Sequence, residues 1–131
     1  MITILFQTES HYPVDRKKII SAVEQSLAHR ITSMAEVSIS VIGDRRMREL
    51  NARYRKHDYT TDVLSFPISD PSQPSEPFVD VPDGVMRLGD IVVSYPQSIR
   101  AAIDENRLVD EKIVELVLHG LDHLLGIHHE E

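Results

Sequence analysis

The 131-residue chain contains no cysteine. That absence removes disulfides and thiolate metal ligands together, leaving His, Asp and Glu as the strong ligands available. Tryptophan is also missing and aromatic residues make up only 5%, so a mostly aliphatic core is expected. No apolar run approaches the roughly 20 residues that a membrane span needs. The opening Met1-Ile2-Thr3-Ile4-Leu5-Phe6 has neither the basic start nor the small-residue cleavage site of a secretory signal. The expectation is a cytoplasmic protein with no membrane and no disulfide partner. An excess of positive charge is lacking too: the formal net charge is -7, which argues against a domain that coats nucleic acid by bulk electrostatics.

What is present reads as one globular domain spanning 1–131, with 41% apolar and 27% charged residues. Ile2 to Phe6 is β-branched and apolar enough for a strand. Ile19, Ile20, Val23 and Leu27 then show helical spacing between about Asp15 and Ile31. Val37, Ile39 and Val41 alternate with Ser38 and Ser40, a half-buried strand closed by Gly43-Asp44, where Asp44 can cap the next helix. Met47, Leu50 and Tyr54 recur at three- and four-residue spacing, predicting an amphipathic helix with those side chains inward. Val63 to Phe66 forms a third strand ended by Pro67, and Leu88 to Ser94 a fourth. Between them, residues 67–84 hold Pro67, Pro71, Pro74, Pro77 and Pro82 and read as a surface loop. Helices near Pro96 to Glu105 and Asp110 to Leu125 complete the order β-α-β-α-β-β-α-α. This is an α/β (α+β) domain with a small mixed four-stranded sheet and helices packed against it.

Local charge runs against the net sign in one place. Arg45, Arg46, Arg48, Arg53, Arg55 and Lys56 share one short segment with only Asp44 and Glu49 opposing them. Such a run is most often a solvated helix face, and it is also what phosphate contacts require.

The C-terminal stretch His119-Gly120-Leu121-Asp122-His123-Leu124-Leu125-Gly126-Ile127-His128-His129 concentrates four of the seven histidines. At about 100° per residue, His119 and His123 lie one helical turn apart on one side and can share an ion. A third ligand cannot come from a straight continuation. Gly126 is where the chain can leave the helix, since glycine tolerates the left-handed conformation, and His129 can then fold back; His128 is its competitor. Three neutral imidazoles suit zinc, one per chain, with a fourth position left for water. The spacing matches the zincin-like metalloprotease pattern H-E-x-x-H-x-x-G-x-x-H, except that Gly120 stands where the general-base glutamate belongs. Asp122 reads as a surface charge or as a partner for a histidine.

These residues resemble the YbeY family, whose signature H-G-x-L-H-L-x-G-Y-D-H is matched by residues 119 to 129. A second block matches from Leu50-Asn51-Ala52-Arg53-Tyr54-Arg55 through Asp62-Val63-Leu64-Ser65-Phe66-Pro67, and a third at Leu88-Gly89-Asp90-Ile91-Val92-Val93-Ser94. Asp122, Ile127, His128 and Thr60 depart from the family pattern, in which an apolar, an aromatic, an acidic residue and proline stand. The resemblance implies a single-strand-specific, metal-dependent endoribonuclease in ribosomal RNA processing, at the 3′ end of 16S rRNA, and in ribosome quality control, with RNA and the small ribosomal subunit as partners.

In that reading His119, His123 and His129 hold zinc, Arg55 and His119 are catalytic, and Arg48, Arg53 and Lys56 attract the RNA backbone. Two rival readings remain open: a zinc-binding ribosome assembly factor without catalysis, and a metallopeptidase.

Overall fold

Alternation along the strands decides which way each helix must pack. A computed structural model describes residues 2–9, 12–31, 34–55, 61–67 and 85–128, with side chains at all of these except 55, 127 and 128. The elements follow the expected order: β1 (Ile2–Thr8), α1 (Arg16–Ala28), β2 (Met34–Ile42), α2 (Asp44–Arg55), β3 (Val63–Pro67), β4 (Val85–Ser94), α3 (Tyr95–Glu105) and α4 (Val109–His128). The remainder of the proline-rich stretch expected as a loop, residues 68–84, lies outside the described residues, as do Lys56 and His129.

The four strands form one mixed sheet in the order β1-β2-β4-β3. β1 and β4 both run parallel to β2, and β3 runs antiparallel to β4. Val37, Ile39 and Val41 point to the face covered by α1 and α4, where they join Ile19, Val23 and Leu27 of α1 and Ile113, Val117, Leu121 and Leu124 of α4 in the main core. The opposite face carries Ser38 and Ser40 and, among the described elements, receives α2, whose Met47 packs on Ile42, Leu64 and Val92. Each fully buried Leu or Ile is worth roughly 1.5–3 kcal/mol, so the apolar stripe of α4 fixes its rotation about its own axis.

A bulge sets the phase of β4. Val37 pairs with Gly89 although the preceding Glu36 pairs with Arg87, so Leu88 is an extra residue. Leu88 can therefore share the main core with Ile91 and Val93, an odd separation that a flat strand does not allow. Gly89 accommodates the bulge at φ +137°, and a Cβ there would stand 2.2 Å from the Phe66 carbonyl oxygen. Only glycine fits.

Three local expectations need correction. Asp44 does not cap α2: the first helical bond runs from Met47 N–H to the Gly43 carbonyl, making Gly43 the cap position. The Asp44 carboxylate turns instead to α3, accepting from Ser94, Gln97 and Arg100. Tyr54 is not inward: it is 57% exposed, and its ring meets Phe66 of β3 edge to face. Nor does the helix break at Gly126. α4 continues through it to His128, and Gly126 lacks the positive φ that Gly89 has. Leu124 and Leu125 are buried and hold this turn against the core; glycine permits a helix end but does not impose one.

Candidate metal centre and adjoining cleft

The polar side of α4 is built by the same spacing that builds its apolar seam. Leu116, Val117, Gly120, Leu121, Leu124 and Leu125 face inward, and His119, Asp122 and His123 are exposed. Asp122 is accounted for by Arg30, whose guanidinium lies 2.6 Å away. It is a surface ion pair.

Gly120, in the position of the protease glutamate, is a packing residue. A Cβ at this point would lie 2.8 Å from Ile91 Cγ2 and 3.2 Å from Cγ1, so α4 rests on β4 with no side chain between them. Ile91 is the cross-strand partner of Ser65 on β3. One turn beyond the contact, the Ser65 hydroxyl meets His123, with Oγ 2.6 Å from Nδ1. Nε2, the nitrogen at the far side of the ring, is left for another ligand.

His119 and His123 thus sit four residues apart on the solvent side of one rigid helix, both as nitrogen donors. Two such imidazoles fit zinc. Among the described residues no group of three potential metal ligands occurs, and the third expected donor, His129, is outside them. The bend expected to bring it back is absent at Gly126.

His123 also opens onto a cleft of about 700 Å³ on the α2 side of the sheet. Gln7, Ser38, Ser40, Asp90 and Val92 form its floor, and Arg46, Leu50, Tyr54 and Phe66 its wall. Asp90 and Val92, two residues apart on β4, face this cleft by strand alternation while Ile91 and Val93 face the main core. Tyr54 meets Phe66 edge to face, with centroids 5.3 Å apart. Of the basic residues expected to attract RNA, Arg48 and Arg53 are exposed elsewhere on α2, and Arg53 lies 5.8 Å from the Tyr54 ring centroid. Arg55 ends the helix, with its side chain outside the described set. Among the described side chains the arginine lining the cleft is Arg46, which sequence reasoning left within the general basic run; its four- and eight-residue spacing to Leu50 and Tyr54 was the available signal. Ser65 was missed altogether.

The start of α2 is anchored by Asp44. Burial alone would raise its carboxyl pKa, but hydrogen bonds from Ser94, Gln97 and Arg100, with the Arg100 charge, outweigh that and hold it below its ordinary value.

A family model described as endoribonuclease YbeY matches residues 4–131. The chain belongs to the YbeY family. An endoribonuclease YbeY from Anaeromyxobacter sp. is 44% identical over 96 residues, which cover 73% of this chain and 45% of that protein. Another from Moorella thermoacetica is 35% identical over 127 residues, covering 93% of this chain and 80% of that one. The chain therefore spans about half the length of the first relative and most of the second. The solution structure of the Thermotoga maritima protein TM1509 matches with a TM-score of 0.59 at 24% identity, covering 95% of this chain and 71% of that one, a likeness of fold. In this YbeY-family chain the matched range contains the histidine motif, the basic helix and Ser65 alike. No helix among its described residues is long and apolar enough to cross a membrane.

Proposed function

We propose that this chain is a zinc-dependent endoribonuclease acting on single-stranded RNA. The observation that carries the proposal is the exposed pair His119 and His123 on α4, with His123 already held through Nδ1 and opening onto a cleft walled by Arg46. The family's description as endoribonuclease supports the choice of a phosphodiester as substrate.

Zinc held by His119, His123 and His129 would supply a Lewis acid and water with a pKa lowered toward about 7. The chain's own part is to bring phosphate and water together. Arg46, exposed at the cleft wall, attracts the RNA backbone, with Arg48, Arg53 and Lys56 adding longer-range attraction. Arg55 is assigned to the scissile phosphate, where a planar, permanently charged guanidinium can donate two parallel hydrogen bonds and stabilise growing negative charge. Tyr54 and Phe66 give the cleft an aromatic edge on which an unpaired base can stack, a contact that a paired base is less free to make.

Within ribosome biogenesis the same reading assigns the chain to ribosomal RNA, at the 3′ end of 16S rRNA, and to quality control on the small subunit in the cytoplasm. The packing at Gly120 speaks against a metallopeptidase, since a general-base glutamate would have to displace Ile91. A non-catalytic assembly factor differs in one respect: it keeps the zinc and lacks turnover.

The test is cleavage of a defined single-stranded RNA by highly purified protein. Cleavage that stops with chelator, returns with zinc and is lost in His123→Ala supports the proposal. A protein that binds one zinc per chain and cuts no RNA is the assembly factor instead.

A further inference from the structure

β3 presents α4 with a hydroxyl at one position. Leu64 and Phe66 turn to the α2 side and Val63 joins the main core, so Ser65 meets α4 by strand alternation. Its depth is set by the packing already described: Gly120 lets α4 touch Ile91, and Ile91 is the cross-strand neighbour of Ser65. A side chain at 120 would hold the helix away from β4 and lengthen the 2.6 Å contact between Ser65 Oγ and His123 Nδ1.

That contact admits two proton arrangements. If Oγ–H donates to Nδ1, the imidazole proton sits on Nε2 and occupies the lone pair a metal needs. If Nδ1–H donates to Oγ, Nε2 is bare and directed away from Ser65. An exposed neutral histidine in water favours the proton on Nε2; a hydroxyl fixed beside Nδ1 reinforces that form where it donates and reverses it where it accepts. Ser65 is such a fixed partner, 9% exposed and held on a strand.

We propose that Ser65 is the positioning residue of His123: its oxygen accepts a hydrogen bond from Nδ1–H, fixes the tautomer with a free Nε2 and aims that nitrogen at the metal. This rests on the zinc reading given above. It assigns the serine a function beyond packing, because a packing role alone would be filled by alanine with no change in the ring.

The experiment uses the full chain, stripped of zinc, at a pH where imidazoles are neutral. Long-range nitrogen–proton correlation spectra identify the protonated nitrogen of each histidine, and zinc affinity is measured by competition with a chelating dye. In the wild type, His123 is expected as the Nδ1–H form. Ser65→Ala is expected to shift it toward Nε2–H and to weaken zinc binding about 10- to 100-fold, while Ser65→Thr, which keeps the hydroxyl, stays near the wild type in both readouts. Nε2–H at His123 in the wild type overturns the proposal without any variant. So does Ser65→Ala with wild-type zinc affinity when His123→Ala has lost it, an outcome that leaves the zinc reading standing. Undiminished zinc binding in His123→Ala overturns both.

Discussion

The Asp44 carboxylate accepts a hydrogen bond from the Ser94 hydroxyl at 2.9 Å, joining the first turn of α2 to the cap of α3. Ser94 accepts in turn from Gln97 N–H, while Gln97 Nε2 and Arg100 also reach Asp44. The wall of the cleft is therefore hung on α3. Asp44→Ala is expected to cost roughly 1 kcal/mol, the net worth of hydrogen bonds to a partly exposed charged group, read as a lower urea midpoint at pH 7. Because the folded pKa lies below the ordinary 3.8, this contribution is fully present above that value and is lost as pH falls through the lower folded one. The stability gap between wild type and Asp44→Asn should accordingly narrow below about pH 4. A gap that is constant from pH 7 to pH 3 would show that the ionised carboxylate plays no part.

Gly120 against Ile91 sets two terms in competition. Alanine at an interior helical site gains up to about 1 kcal/mol of propensity over glycine, whereas overpacking a tight core costs typically 1–3 kcal/mol. Here the Cβ would stand 2.8 Å from a fully buried, β-branched side chain that has little freedom to turn away. Packing should win, and Gly120→Ala should be destabilised by about 1–2 kcal/mol. In a double-mutant cycle with Ile91→Ala, which removes the opposing atoms, the penalty at 120 should vanish or reverse. Additive effects would mean the two residues do not press on each other.

Arg46→Ala tests the cleft wall with little risk to the fold, since the residue is exposed and surface substitutions usually stay within about 0.5 kcal/mol. The expected result is weaker RNA binding, with the slope of log affinity against log salt reduced by about one unit. Zinc content and melting temperature should not move. An unchanged slope would separate Arg46 from the RNA path.

The parts legible in the sequence are those that one segment decides by itself. The alternation of Val37, Ile39 and Val41 with Ser38 and Ser40 identifies β2 and its faces, and Ile19, Val23 and Leu27 identify the buried stripe of α1. What was not legible depends on a second segment. The bulged position 89 needs glycine because the Phe66 carbonyl of β3 leaves no room for a Cβ, and nothing in the period of β4 announces that neighbour. Ser65 and His123 are 58 residues apart; each is unremarkable alone, and only the approach of α4 over Gly120 brings them together. Tyr54 has the spacing of a buried residue, but the spacing cannot reveal that β3 is the last described strand on its side of the sheet.

Gly126 is the position where spacing and structure disagree most usefully. A glycine that ends a helix does so at positive φ, where alanine is strained and destabilising. Gly126 instead lies within α4 without a positive φ, and a Cβ added there would meet nothing within 4 Å. Alanine at this position therefore relieves the backbone entropy of glycine with no steric cost, and Gly126→Ala should stabilise the protein by a few tenths to about 1 kcal/mol. That is a rise in melting temperature of roughly 1–4 °C. Gly89→Ala provides the opposite case: it combines φ +137° with a Cβ 2.2 Å from backbone oxygen and should be severely destabilised. A fall in melting temperature for Gly126→Ala would return the break to Gly126, restore the expected route for His129 and show that α4 ends before His128. A rise would support a helix that is continuous through Gly126.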